Sequence, residues 1–168
     1  MRHSFPLLTV FVALAFLSPA KAAEQGGLLV NVSKKTIARN DGRDSFSSGF
    51  KSVDRMLTLK LDVKNTSMKA FEPATVEYVV LIERWAIGEK GAVERFEGTK
   101  PLEQLLPSNS ASLLLGEYQI GGHMHGTSDM HVDHLVAWKV VVPRDGRKLE
   151  FTSGSNFDTL NRRVRSGN

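Results

Sequence analysis

The feature that most limits the possible folds of this chain is a run of residues that alternates between apolar and polar with a period of two. The run covers residues 56–63, and its apolar members are Leu57, Leu59, Leu61 and Val63. A β-strand directs successive side chains to opposite faces, whereas a helix repeats every 3.6 residues. The spacing therefore predicts a strand that buries one face.

Other segments carry strand signals as well, because they are rich in β-branched and aromatic residues and are bounded by turn residues. They are residues 28–32, 75–85, 113–120, 135–142 and 148–152, with 93–96 as a short edge strand. The turn Pro143–Gly146 predicts a hairpin before the last of these strands. Less regular segments are residues 36–52, predicted as a long loop, residues 101–106, predicted as a helical turn or a crossover between sheets, and residues 156–165, predicted as a short helix or as disorder.

The number and spacing of these strands predict an all-β protein. Seven to eight short strands joined by polar turns favour a single immunoglobulin-like or fibronectin-like sandwich of two sheets. The chain has no cysteine, which excludes a disulfide scaffold and any thiolate metal site. We expect the sandwich to occupy residues 23–155 and to be followed by a polar, basic C-terminal tail, residues 156–168.

The N-terminus has the pattern of a cleaved secretory signal peptide, residues 1–22. A short basic start, Arg2 and His3, precedes the apolar residues 5–17, and Ala20–Ala22 provides a small-x-small cleavage site. The alternative is an uncleaved anchor, but the apolar run is shorter than the roughly 20 residues of a bilayer-spanning helix. We therefore expect a secreted or periplasmic protein with no membrane span after cleavage.

The charge of the mature chain gives no reason to expect a nucleic-acid partner. Removal of residues 1–22 takes away Arg2 and Lys21 and leaves 20 basic and 18 acidic residues, so the net charge falls from +4 to +2. The one basic run, residues 162–165, lies at the C-terminus. A nucleic-acid-binding domain usually carries a larger basic surface.

A cluster of histidines is the segment with the most distinctive chemistry. Four of the five histidines fall within twelve consecutive residues, and Met124, Met130 and Asp133 lie among them. Imidazole, thioether and carboxylate groups bind transition metals without the help of cysteine. The cluster therefore suits a site for copper or zinc, the possible cofactors of this chain. The other interpretation is a polar connecting loop that serves hydrogen bonding or contact with a partner.

A hairpin around residues 126–130 would bring part of this cluster together. In that register His125 lies opposite His131 and His123 lies opposite Asp133, so these four residues share the outward face and are the predicted metal ligands. His134 falls on the core face. In an immunoglobulin-like sandwich the two strands can instead belong to different sheets, and the segment between them is then an arch.

Three classes of function remain open. The first is a non-catalytic module that binds a protein or glycan partner at the cell envelope or outside the cell through its loops. The alternative is an extracytoplasmic copper or zinc protein that uses the histidine cluster, and the same imidazoles would also suit a pH-responsive surface. A hydrolase is disfavoured because the chain has no Gly-x-Ser-x-Gly or His-Glu-x-x-His motif, so we expect no catalytic residues.

Overall fold

The computed structural model describes residues 21–40, 42–43, 50–86, 89–125, 128–154 and 156–165. Within these residues the chain forms ten strands and one helix. The elements are β1 (Lys21–Gln25), β2 (Leu28–Arg39), β3 (Gly42–Arg43), β4 (Phe50–Asn65), β5 (Ala74–Ala86), β6 (Glu89–Leu102), β7 (Ser110–His125), β8 (Ser128–Val132), β9 (His134–Arg144), β10 (Arg147–Thr152) and α1 (Phe157–Arg165).

The strands form two antiparallel sheets that pack face to face, which confirms the predicted two-sheet sandwich. The first sheet has the order β1-β2-β4-β7-β8 with β3 paired to β4, and the second has the order β10-β9-β5-β6. Seven strands remain when the short strands β1, β3 and β8 are left out. In chain order, the first, second and fifth of these (β2, β4 and β7) lie in one sheet, and the third, fourth, sixth and seventh (β5, β6, β9 and β10) lie in the other. The immunoglobulin-like sandwich likewise separates its A, B and E strands from C, F and G.

The core lies between the sheets and follows the period-two pattern of the sequence. Strand β4 is central in the first sheet, and Leu57, Leu59, Leu61 and Val63 are all buried, as the alternation predicts. They share one cluster with Val80 of β5 and with the inward residues of β9. Burial of each such aliphatic side chain contributes about 1.5–3 kcal/mol, so the alternating strands supply most of the driving force for this fold.

Two tight hairpins fix the register at one end of the sandwich. Gly26 and Gly27 join β1 to β2 with φ angles of 58° and 72°, and Asp145 and Gly146 join β9 to β10 with φ angles of 49° and 73°. Two consecutive positive φ angles match the right-handed twist of the strands, and glycine or aspartate tolerates them. The hairpin predicted at Pro143–Gly146 is therefore present.

The segment between the second and the first sheet is a crossover and not a helical turn. Strand β6 runs to Leu102, Leu105 then forms a bridge with Phe71, and the chain enters β7 in the opposite sheet. The side-chain amide of the buried Asn65 donates hydrogen bonds to the carbonyl oxygens of Lys69 and Leu105, at 2.8 and 2.9 Å. This amide therefore links the crossover to the connection between β4 and β5.

The predicted loop over residues 36–52 is in part strand. Strand β2 continues to Arg39 and β4 begins at Phe50, with the short β3 between them. The ladder between β2 and β4 extends as far as Arg39, which lies opposite Arg55. The polar residues of this segment therefore form an exposed end of the sheet. Residues 41 and 44–49 of the predicted loop lie outside the described residues, as does most of the predicted signal peptide.

Helix α1 decides between the two alternatives for the C-terminal segment. Its first residue, Phe157, is 2% exposed and packs against Leu81 and Ala137 on the outer face of the second sheet. Leu160 joins the same cluster one turn later. Most of the predicted tail is thus a helix attached to the sandwich. Within the described chain no helix has the length and apolarity that a membrane crossing requires.

Candidate functional site

The histidine cluster lies at one end of the sandwich, which we call the His–Trp end and define by His123, His131 and Trp85. The connections from β2 to β4, from β5 to β6 and from β7 to β8 all turn at this end, because their strands are antiparallel neighbours. The chain also changes sheets here, between β8 and β9. Chain connections held by a rigid sandwich are the usual place for binding groups.

His123 and His131 face each other across β7 and β8. They are directly opposed in the ladder, whereas His125 lies opposite Ser128. This differs from the predicted register, in which His125 opposes His131, because β8 already begins at Ser128 and the connection is shorter than expected. The side chain of His125, together with those of Met124 and Met130, lies outside the described residues.

A glycine makes this pairing possible. Gly122 has a φ of 142°, which side-chain-bearing residues rarely adopt, and the ladder is irregular just beyond it. A Cβ atom on Gly122 would collide with the carbonyl oxygen of His131 and would lie 2.6 Å from the Cα of Val132. Strand β8 can therefore approach β7 only where β7 has no side chain.

The ring of His131 packs against an exposed tryptophan. The ring centroids of Trp85 and His131 are 4.7 Å apart, and their planes are inclined by 43°. Trp85 is 40% exposed, and His123 is exposed on the neighbouring strand. The buried Nδ1 of His131 has no hydrogen-bond partner. The described contact of this imidazole is thus its packing against the indole.

The predicted register places Asp133 opposite His123. In the structure Asp133 lies instead in the crossing between β8 and β9. Its carboxylate accepts hydrogen bonds from Arg84 Nη1 at 2.8 Å, from the backbone N–H of Trp85 at 2.9 Å and from the backbone N–H of Gly121 at 3.0 Å. Only 12% of the Asp133 side chain is exposed. We call this arrangement the Asp133 clasp, because it joins β5, β7 and the β8–β9 crossing.

Arg84 is the residue that sequence reasoning missed. It lies near the end of β5, and besides Asp133 its guanidinium contacts Glu94 at 2.7 Å and the carbonyl oxygen of Gln119 at 2.7 Å. Burial lowers the pKa of Arg84, but the hydrogen bonds to Glu94 and Asp133 outweigh it and raise that pKa above its ordinary value. Arg84 thus stays charged and holds the two sheets together at the His–Trp end. Its sequence signal is weak: Arg84 follows Glu83 at the end of the apolar residues 79–82.

His134 lies in the second sheet, opposite Glu83, and is exposed, whereas the alternation predicted it on the core face. The reason is a β-bulge: the ladder between β5 and β9 shifts register so that Val136 is an extra residue. Leu135 and Trp138 therefore both contact the core. A one-residue shift moves every preceding side chain to the other face.

The structure thus brings together only part of the predicted ligand set. Among the side chains that the structure describes, no three histidine, aspartate or glutamate groups lie close enough to hold a metal ion. His123 and His131 are the described pair, and the carboxylate of Asp133 is engaged in the clasp. The side chain of His125, the fourth predicted ligand, lies outside the described residues.

A groove lies elsewhere, between α1 and the outer face of the second sheet. Its volume is about 660 Å³. Its charged lining residues are largely paired with one another, as in the ion pairs Lys139–Glu150 at 2.7 Å and Lys148–Glu77 at 3.5 Å. Charges that are already paired across neighbouring strands attract a charged ligand only weakly. The groove is therefore large enough for a ligand, but it offers few unpaired charges to bind one.

Comparison with known proteins adds little to this geometry. No protein-family model matches the chain, and no curated protein matches it either. One solved structure that resembles it is a crystal structure of a protein from Akkermansia muciniphila. That protein is 10% identical, the match covers 80% of this chain and 75% of that one, and the TM-score is 0.32.

Proposed function

We propose that this protein is an exported, non-catalytic binding module that engages a protein partner at the cell envelope or outside the cell through the His–Trp end. The observation that carries the proposal is the exposed Trp85, held against His131 beside the exposed His123. The sequence pattern of residues 1–22 supports export. Cleavage after Ala22 predicts a mature secreted or periplasmic protein that begins at Ala23.

Trp85 suits the role of an anchor residue. Tryptophan is enriched among the few residues that dominate binding energy, because it offers a large apolar surface together with a hydrogen-bonding N–H. Its backbone N–H is bonded to Asp133, so the clasp holds its position before a partner arrives. A side chain that is already ordered loses less conformational entropy on binding.

The proposal is tested by comparing matched variants of residues 23–168 in binding to an envelope extract. Trp85→Ala should lose a partner that the unchanged protein retains, and His123→Ala should weaken it. The control is Leu106→Ala, which removes an apolar side chain that is 53% exposed in the crossover at the opposite end. The partner is then purified, and its affinity for each variant is measured directly.

Three outcomes decide the matter. Selective loss with Trp85→Ala supports the His–Trp end as the binding surface. Equal loss with Leu106→Ala contradicts that location. Binding to purified envelope glycans in place of protein would reassign the partner class. Sequencing the N-terminus of the exported protein tests the expected cleavage separately.

A second candidate is an extracytoplasmic transition-metal protein. The specific observation that favours it is the direct opposition of His123 and His131 across β7 and β8. Two imidazoles on neighbouring strands are a common beginning of a copper or zinc site. Metal binding and partner binding at the same end are compatible, because a metal ion can itself order a binding surface.

A further inference from the structure

We infer that His123 and His131 form a two-imidazole site for a divalent transition-metal ion of the class that prefers nitrogen ligands, with Cu(II) and Zn(II) as its members to test. The inference rests on the second candidate function above and specifies its ligands. It also removes Asp133 from the predicted ligand set.

The ladder sets the distance between the two residues. Directly opposed residues of an antiparallel pair have Cβ atoms about 5 Å apart. Two imidazoles at that separation can reach one ion at about 2.0–2.1 Å from each nitrogen. Gly122 holds this register, because a side chain there would push β8 away from β7. The backbone thus brings the two histidines within bridging distance.

The surroundings of His131 leave its ring available as a ligand. The ring is held by Trp85, and its buried Nδ1 has no hydrogen-bond partner. A buried polar atom without a partner usually calls for an explanation, such as a missing ion or ligand. An ion bound at this nitrogen would meet that need. His123, exposed on the adjacent strand, keeps the site open to solvent.

Asp133 is close in sequence but differs in its chemistry. Its Oδ2 accepts from Arg84 and Gly121, and its Oδ1 accepts from the backbone of Trp85. A metal ion would have to displace these donors, including a guanidinium at 2.8 Å. A buried charged group that loses a hydrogen bond is left with an unfavourable desolvation cost. The carboxylate therefore serves as a positioning group for Trp85 and not as a ligand.

The experiment is titration of residues 23–168 with Zn(II) and with Cu(II), measured by calorimetry and by tryptophan fluorescence. We expect one ion per chain, and quenching by Cu(II) because Trp85 lies against a ligand. His123→Ala and His131→Ala should each weaken binding by roughly tenfold or more. The matched control is His134→Ala, which removes an exposed histidine from the other sheet and should leave the affinity unchanged. Trp85→Phe should keep the calorimetric signal and lose most of the quenching, because Trp138 is buried in the core.

Each alternative result has a definite meaning. Absence of saturable binding overturns both the site and the second candidate function, and it leaves the partner-binding proposal to its own test. Binding that survives both His123→Ala and His131→Ala overturns the pair but keeps a metal function. Equal loss with His134→Ala overturns the assignment to β7 and β8. His123→Ala keeps the test valid if His131→Ala disturbs the packing of Trp85, since His123 is exposed.

Discussion

Replacing Asp133 by alanine should destabilise the sandwich far more than the loss of an ordinary surface carboxylate. The clasp gives this side chain three donors, and one of them is the guanidinium of Arg84. Leaving a buried donor without a partner costs about 1–3 kcal/mol, and breaking a buried ion pair costs about 3–5 kcal/mol. Arg84 is partly exposed and keeps Glu94 as a partner, so the lower part of this range applies. We expect Asp133→Ala to reduce the free energy of unfolding by about 2–4 kcal/mol.

The assay is urea unfolding of residues 23–168, followed by circular dichroism. The control is Asp54→Ala, because Asp54 is an exposed carboxylate of β4 whose one described contact is a hydrogen bond of 3.3 Å from Gln119. Its loss should change stability by no more than about 0.5 kcal/mol. The stability of Asp133→Asn should fall between those of the two variants. The asparagine amide keeps one oxygen acceptor, but its NH2 group faces one of the N–H donors of the clasp. If Asp133→Ala and Asp54→Ala unfold at the same urea concentration, the clasp does not hold the sheets together.

Three further predictions concern the backbone and the pH dependence of stability. Gly122→Ala should lower the free energy of unfolding in urea by about 1–3 kcal/mol, because its Cβ atom would meet the backbone of β8. The control Gly121→Ala should be tolerated, because its Cβ atom would lie 3.9 Å from its nearest neighbour, and equal effects of the two variants would contradict the close approach of the strands. Burial raises the pKa of the Tyr118 hydroxyl, so stability present at neutral pH should be lost as the pH rises above about 10. In melting curves recorded at alkaline pH, Tyr118→Phe should reduce this loss, and an unchanged dependence of the melting temperature on pH would refute the role of Tyr118. Burial raises the pKa of Asp62, but hydrogen bonding, first to Lys60, outweighs burial and lowers that pKa, so part of the stability should be lost as the pH falls below about 4. The Asp62→Asn variant should lose less free energy of unfolding between pH 5 and pH 2 than the unchanged protein, and an equal loss would contradict the prediction.

The strands and the core could be predicted from the sequence because their signal is local. The alternation in β4 names its buried residues directly, and the β-branched composition of β5 and β9 identifies them as strands. The turn at Asp145 and Gly146 is equally local, since positive φ angles at both positions favour such residues. In each case the residues that decide the structure lie within a few positions of one another.

The candidate site could be predicted only in part, because its geometry depends on contacts between distant residues. The histidine cluster was visible, but its register depends on where β8 begins, and a one-residue change in a connection reorders every pair. The bulge at Val136 turns His134 away from the core with no clear mark in the sequence. Asp133 and Arg84 are 49 residues apart, so no local pattern links them.

The Asp133 clasp also shows why structural and functional residues can be separated experimentally at the His–Trp end. Asp133 and Arg84 are occupied with each other and with backbone groups, so their removal should lower stability first and binding only as a consequence. His123 is exposed, and its removal should change binding more than it changes the unfolding curve. Trp85 lies between these cases, since its backbone belongs to the clasp while its ring is exposed. A variant series in which His123→Ala destabilises the protein as much as Asp133→Ala would contradict this division, because the histidine would then be part of the support and not of the binding surface.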